Sequence, residues 1–290
     1  MTGKKSYNNY DNRKDAIGLG NLYVADSSSR KTLFYHDFLV LKKEVPLIIW
    51  RAWMDTKARY KRSILGPYWL SIGTLTFVIG YSILAGLLFR RPLEEFLGFI
   101  ACGVITWQLI SGTLIEGAKI YVGSAHEIKS VRVNLLGLPV KQILRGLIGL
   151  MHSLPIVLLV VCFTDEISKY TLMVIPGLII LCSTLFGIIL MLGTVASRYR
   201  DIEQLTQMLT QFMFYMSPIL WKPEMLGEGS GQLVALLNPF YYGLTIMREP
   251  LLGNAVPLRI WCVAICLMVI SLFVGCIVYR RFRQRIPFWI

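Results

Sequence analysis

Residues 59–69 read Arg-Tyr-Lys-Arg-Ser-Ile-Leu-Gly-Pro-Tyr-Trp and lead directly into an apolar stretch that ends at Phe89. No side chain from Pro67 to Phe89 is charged, which gives about 23 residues or roughly 34 Å of helix, enough to cross the hydrocarbon layer. Proline suits the first turn of a helix, because its missing N–H has no intrahelical partner there. The stretch therefore predicts a membrane span that follows a basic segment.

Composition agrees with a membrane protein. The chain has 290 residues, of which 55% are hydrophobic, and a mean hydropathy of +0.57. Its net charge of +13 comes from basic residues beside apolar stretches. We therefore expect contact with anionic lipid and no nucleic-acid partner. The first 32 residues are polar and lack the apolar core of a signal peptide, so we interpret them as a flexible cytosolic tail.

Six apolar stretches predict an all-α integral membrane protein. The predicted spans cover residues 67–89, 96–115, 140–163, 171–196, 205–221 and 258–279. The fifth is the shortest, at about 25 Å of helix. If both chain ends are cytosolic, 24 of the 30 Lys and Arg residues lie on the inner side. This bias predicts that the N- and C-termini are both inside.

Three domains follow from this pattern: the tail at 1–32, an interfacial amphipathic helix at 33–65 and a transmembrane domain at 66–290. Within the second, residues 46–64 place Ile49, Trp53, Tyr60 and Ile64 on one helical face. A basic helix with tryptophans is expected to lie in the inner membrane surface. The residues predicted to meet a substrate that enters from this surface are Trp50, Trp53, Arg59, Tyr60, Arg62 and Trp69.

The outer connection at residues 222–257 contains two apolar stretches separated by Asn238-Pro239. A fully solvated loop would not need them. We expect two short re-entrant or interfacial helices before the last span.

The sequence predicts no catalytic residues and no metal site. No phosphate-binding loop of the form G-x-x-x-x-G-K-[ST] is present, so the chain cannot hydrolyse ATP by itself. The predicted spans carry no Asp or Glu, although proton- or ion-coupled transporters usually need such groups near the midplane. No Cys-x-x-Cys pair is present either.

The fifth predicted span carries a polar stripe. Gln204, Gln207 and Gln211 share one helical face, and Tyr215 continues it. Such a stripe either joins helices or lines a wet path. For a sugar path, amides offer hydrogen bonds and aromatic rings offer stacking surfaces. The residues predicted to line a substrate channel are Phe77, Tyr81, Gln204, Gln207, Gln211, Phe212, Phe214 and Tyr215.

Four stretches resemble ABC-2-type polysaccharide export permeases. Residues 59–69 resemble the family element R-Y-R-x-S-x-L-G-P-x-W, and residues 197–202 (Ser-Arg-Tyr-Arg-Asp-Ile) resemble its S-x-x-x-R-D-I turn. Residues 214–219 (Phe-Tyr-Met-Ser-Pro-Ile) resemble its F-x-x-S-P-I element, and Asn238-Pro239 its outer turn. The resemblance covers residues 34–290 in order. One departure is that residues 128–139 lack the F-P-R core of the corresponding family element.

The resemblance implies a homodimer of six-helix subunits in the bacterial inner membrane, joined to two ATPase subunits. It implies that ATP and Mg²⁺ bind the partner subunit and that this chain holds no cofactor. The cargo would be a polyprenyl-diphosphate-linked polysaccharide, with O-antigen favoured over capsule or teichoic acid. The residues expected to couple this chain to the ATPase are Glu127, Lys129, Arg132, Arg200 and Asp201.

Two alternatives stay open. An ABC-2 exporter of a drug or another lipid would have a compact apolar pocket in place of a lining of aromatics and amides. A polyprenyl-phosphate sugar-modifying enzyme would need acidic or metal-binding residues on one face.

Overall fold

The computed structural model describes residues 27–66, 68–90, 92, 94–130, 133–164, 168–226 and 230–290, and this described part contains helices and turns but no strand. The α-helices are α1 Ser27–Arg59, α2 Tyr68–Phe89, α3 Glu94–Ala118, α4 Ile120–Gly123, α5 Ala125–Ser130, α6 Gly137–Thr164, α7 Val174–Ala196, α8 Asp201–Met216, α9 Ser230–Leu237, α10 Pro239–Leu251, α11 Leu258–Phe282 and α12 Ile286–Trp289. Three 3₁₀ turns occupy Lys169–Met173, Pro223–Leu226 and Arg283–Arg285.

Within the described residues, four helical segments are long and apolar enough to cross a membrane. They are Tyr68–Phe89, Phe96–Ala118, Lys169–Ala196 and Leu258–Trp289. These correspond to four of the six predicted spans, and the chain is a multi-pass membrane protein. The third predicted span lies within α6, which has 28 residues. The fifth predicted span overlaps α8, which has only 16 residues.

Helix α3 forms the centre of the bundle. Its fully buried side chains include Phe96, Ile100 and Ile110, which belong to one hydrophobic core shared with α7, α10 and α11. Helices α2, α6 and α8 also pack against α3. Among the four segments, α3 has the largest buried share, whereas few residues of α2 and α11 are fully buried.

The helix before the first span differs from its predicted extent. It begins at Ser27 and ends at Arg59, whereas we expected a helix over residues 46–64. Residues 60–66 instead form turns, in which the Ser63 hydroxyl accepts a hydrogen bond from the Gly66 N–H at 3.1 Å. Gly66 has a φ of +56°, a left-handed conformation that ends helices and favours glycine.

The face that α1 turns toward the protein was not predicted. Ile48 and Ala52, one turn apart, are buried where α1 packs along α6. Ile49 and Trp53, predicted to share an apolar face, are exposed, and so is Ile64 in the following turns. The exposed side chains lie on the surface that remains available to a membrane.

Helix α8 ends five residues before the predicted end of the fifth span. Ser217 adopts an extended conformation after Met216, and Pro218 follows. The residue before a proline is disfavoured in the helical region, and the proline has no N–H to continue the ladder. The prediction of a helix as far as Trp221 was therefore wrong.

The two short helices predicted around Asn238-Pro239 are present as α9 and α10. Asn238 is the N-cap of α10, and its side-chain oxygen accepts a hydrogen bond from the Phe240 N–H at 2.9 Å. Pro239 occupies the first turn, where the missing N–H has no intrahelical partner. The sequence signal at this break was local, so the boundary was correctly predicted.

Candidate functional site

Helix α8 packs against the bundle through two small polar residues. Thr206 and Thr210 are buried, and each hydroxyl donates to the carbonyl four residues earlier in the same helix. Their hydrogen bonds are thus satisfied locally, and the threonines can contact α3 without seeking a partner there. The predicted stripe of Gln204, Gln207 and Gln211 lies on the exposed side of α8, at the surface of the chain.

Aromatic rings predicted to line a path come together between α2 and α8. Phe77 stacks on Tyr81 with ring centroids 6.0 Å apart and meets Phe214 at 6.4 Å. Phe214 meets Tyr215 at 5.3 Å. Phe212 also belongs to α8 but is exposed away from these rings. Four of the five predicted aromatic residues therefore form one ring series.

Two further rings extend this series into the protein. Trp107 of α3 lies 6.1 Å from Phe214, and Phe240 of α10 lies 5.4 Å from Trp107. Sequence reasoning missed both residues. Trp107 lies in an apolar span where an aromatic residue is ordinary, and Phe240 was assigned only to a short helix. The one available signal was that Phe240 follows the Asn238-Pro239 element.

The end of α8 is held by the helix that follows the outer break. Asn238 donates from its amide nitrogen to the Ser217 hydroxyl at 2.8 Å. Arg248, which is 2% exposed, donates to the Pro218 carbonyl at 2.6 Å, pairs with Glu249 at 3.2 Å and stacks over the Phe99 ring at 3.8 Å. The Ser-Pro and Asn-Pro elements therefore touch each other directly.

One predicted coupling residue contacts the end of the chain. Lys129 donates to the Ile290 carbonyl at 2.5 Å, and Arg198 lies 5.4 Å from the Trp289 ring. Arg200 and Asp201 are exposed at the start of α8, and Glu127 is exposed on α5, whereas Arg132 lies outside the described residues. The role of the C-terminal segment in this surface was not predicted.

The predicted interfacial residues fall into two groups. Trp50, Trp53, Arg62 and Trp69 are exposed around the junction of α1 and α2. Arg59, which is also exposed, and the half-buried Tyr60 line a polar cavity between α1, α2, α3 and α6.

A second cavity is apolar and has a volume of about 270 Å³. It lies between α3, α7, α10 and α11, and its lining includes Leu185, Phe240, Tyr242 and Leu267. No cluster of three or more His, Cys, Asp or Glu side chains that could hold a metal ion occurs in the part of the chain that the structure describes.

Comparison with known proteins agrees with this architecture. The family model described as "ABC-2 type transporter" matches residues 45–252. The O-antigen export system permease protein RfbA of Klebsiella pneumoniae is 22% identical over 236 residues, which is 80% of this chain and 90% of that protein. A protein with the same name from Myxococcus xanthus is 23% identical over 210 residues, 70% of this chain and 81% of that protein.

Proposed function

The chain belongs to the ABC-2 type transporter family, and from this premise we propose that it is the membrane-spanning permease subunit of an ATP-driven exporter. Its cargo is a polyprenyl-diphosphate-linked polysaccharide of the O-antigen type, which the names of its relatives support. The subunit carries cargo across the bacterial inner membrane and is not an enzyme. ATP and Mg²⁺ bind to two partner ATPase subunits.

The observation that carries the proposal is the exposed surface of α8 beside the aromatic series. Gln207 and Gln211 face away from the subunit with no side-chain partner among the described residues, and Tyr215 is 63% exposed. Amides both donate and accept hydrogen bonds, so they replace the hydration of sugar hydroxyls without selecting one sugar. Rings such as Phe77 provide flat surfaces along which a polymer slides.

A second copy of the chain completes this path. Two glutamine-bearing helices that face each other across a homodimer would enclose a polar channel, which one copy alone leaves open on one side. In this arrangement each subunit crosses the membrane with all six predicted spans, of which α6 supplies the third and α8 the fifth. Both termini of the subunit then lie in the cytosol. Lysine and arginine counts support this orientation.

The cytosolic surface formed by α5 and the chain end is proposed as the ATPase contact. Glu127 and Lys129 lie on it, Arg200 and Asp201 lie at the start of α8, and Arg132 follows α5 in sequence. Cysteine cross-linking from position 127 to the ATPase tests this contact. Charge reversal at Glu127 and Arg132 together is expected to stop export while the chain still inserts in the membrane.

Loss of the chain from its native cell tests the function itself. We expect surface polysaccharide to disappear and lipid-linked polymer to accumulate on the cytosolic side, with recovery when the chain is restored. Accumulation of polymer outside the cell without the chain would contradict the proposal.

The apolar cavity favours a second candidate, export of a small apolar molecule or lipid. Its lining is almost entirely hydrocarbon and aromatic, which is the usual character of a small-molecule site. Under this alternative, filling the cavity by Ser271→Phe would abolish transport, whereas Gln207→Leu would leave it unchanged. The polysaccharide proposal expects the larger effect from Gln207→Leu.

A further inference from the structure

A polar cavity of about 160 Å³ opens where four helices approach one end of the bundle. Its walls are the end of α1, the first turn of α2, the second half of α3 and the first half of α6. This volume is roughly ten times the approximately 15 Å³ that a single water molecule needs. The cavity is therefore large enough for a polar headgroup.

The charges that line this cavity are mostly positive. Arg59 and Arg145 both lie in its wall, and neither forms an ion pair with any residue that the structure describes. Asp55 does not neutralise them, because it is paired with Lys141 at 3.1 Å. Glu116 is the single carboxylate in the lining. Two guanidinium groups facing one carboxylate leave the cavity attractive to an anion.

Two polar atoms of the lining residues have no hydrogen-bond partner among the described residues. Thr113 is 1% exposed, and its hydroxyl has no hydrogen-bond partner within the described part of the chain. The His152 Nδ1 contacts the Ile148 carbonyl at 2.7 Å, and its Nε2 has no described partner. The Thr113 hydroxyl is enclosed beside Gly146 where α3 contacts α6, so a ligand cannot reach it. The His152 Nε2 is the atom of these two that a ligand or water can satisfy.

Two glycines border open space in the cavity. A Cβ atom added at Gly112 or Gly149 would meet no other atom within 4 Å, and both residues line the cavity. By contrast, a Cβ at Gly146 would lie 2.8 Å from the Thr113 hydroxyl, so α3 and α6 are in contact there.

From these observations we propose that the cavity binds the diphosphate that joins a polyprenyl tail to its first sugar. This inference rests on the proposed function, since it names the part of the cargo that the subunit recognises. Arg59 and Arg145 bind phosphate oxygens, because guanidinium groups match their planar, bidentate geometry. Glu116 and Gln108 bind the first sugar. Trp50, Trp53 and Trp69 are exposed beside the cavity, and tryptophan prefers the membrane–water interface. The polyprenyl tail can therefore stay in the lipid while the diphosphate occupies the cavity.

Binding to the full-length chain in nanodiscs of neutral lipid tests the proposal. The probes are undecaprenyl diphosphate, undecaprenyl monophosphate, phosphatidylglycerol and inorganic pyrophosphate. We expect the diphosphate lipid to bind most tightly and pyrophosphate to compete with it at higher concentration. Equal binding of phosphatidylglycerol would overturn the proposal by showing a general phospholipid site. If free pyrophosphate binds as tightly as undecaprenyl diphosphate, the site recognises soluble diphosphate, and the proposal that it binds the lipid is wrong.

Matched variants locate the site. Arg59→Gln with Arg145→Gln removes two charges from the cavity, and Lys57→Gln with Lys61→Gln removes two charges from the exposed surface nearby. Loss of charge-assisted hydrogen bonds predicts at least about tenfold weaker binding for the first pair and little change for the second. Equal weakening by both pairs, or by neither, would overturn the proposal.

Gly149→Leu fills the open space while every charge is kept, and it is also expected to prevent binding. If this variant does not insert into the membrane, the binding affinity of Arg59→Gln alone is the test. Arg59 is exposed, so its substitution is not expected to disturb folding. The binding assay is independent of transport. Tight arginine-dependent binding in a chain whose loss leaves surface polysaccharide unchanged would reject the exporter proposal and keep the site. Normal binding by the double arginine variant would reject the site alone.

Discussion

Arg283, at the end of the last long helix, forms a two-pronged ion pair with Asp37 in the N-terminal helix, 246 residues earlier. Tyr279 donates to the same carboxylate at 2.9 Å, and Asp37 is 4% exposed. Burial and the nearby Asp37 carboxylate raise the pKa of Tyr121 in α4 well above its usual value, so this phenol is neutral. The first and the last long helix of the described part of the chain are thus joined.

Asp37→Asn is expected to destabilise the chain. It removes the counter-charge of a partly buried guanidinium, and breaking such a pair from one side costs about 3 kcal/mol. Glu44→Gln removes a charge from the same helix without breaking any described ion pair and serves as control. Unfolding of both variants in a detergent titration measures the difference. Equal stability of the two would show that the ion pair contributes nothing net.

Gly187→Ala and Gly275→Ala are expected to separate α7 from α11. A Cβ at Gly187 would overlap the backbone of Ser271, and one at Gly275 would overlap the backbone of Gly187. Close packing through small residues is a main source of helix association in membranes. Gly73→Ala is the control, since a Cβ there meets nothing within 4 Å. Thermal unfolding that is unchanged in all three variants would contradict this packing.

Variants of Asn238 separate its two hydrogen bonds. Asn238→Asp keeps the cap of α10 but loses donation to Ser217, whereas Asn238→Ala loses both. Loss of a helix cap costs about 1 kcal/mol, so the alanine variant is expected to be the less stable. Thermal unfolding of the two variants side by side gives the order. The reverse order would show that burying the new carboxylate costs more than the cap contributes.

Gln207→Leu with Gln211→Leu is expected to lower polymer export markedly. An apolar path would strip water from sugar hydroxyls without replacing it, at a few kcal/mol for each unpaired group. Leu205→Ala with Leu209→Ala changes exposed residues on other faces of the same helix and is expected to do little. Export is measured as surface polysaccharide per cell.

Cysteines at positions 207, 211 and 215 check whether this face is wet. Water-soluble thiol reagents should label them from one side of the membrane. If no reagent reaches any of the three positions, the stripe joins helices and the path lies elsewhere.

Sequence alone determined the helical membrane class, the four candidate spans that the structure forms as long apolar helices, and the break at Asn238-Pro239. The hydrocarbon layer of the membrane sets the same requirement for each segment: about 20 apolar residues that satisfy their own backbone hydrogen bonds as a helix. This requirement does not depend on the neighbouring helices. Capping at Asn238 is equally local, since its side chain bonds a backbone group two residues away. The aromatic residues of α2 and α8 could likewise be identified from the sequence, because residue type and position along a helix are local properties.

Tertiary structure decided which faces of these helices meet. The ion pair of Asp37 with Arg283, the burial of Ile48 and the contact of Trp107 with Phe240 each depend on how two distant helices are rotated and offset. Helix rotation follows from close packing of many side chains at once, which no local pattern contains. The polar cavity arises in the same way, because its two arginines lie on helices far apart in sequence and become neighbours only when α1 packs along α6.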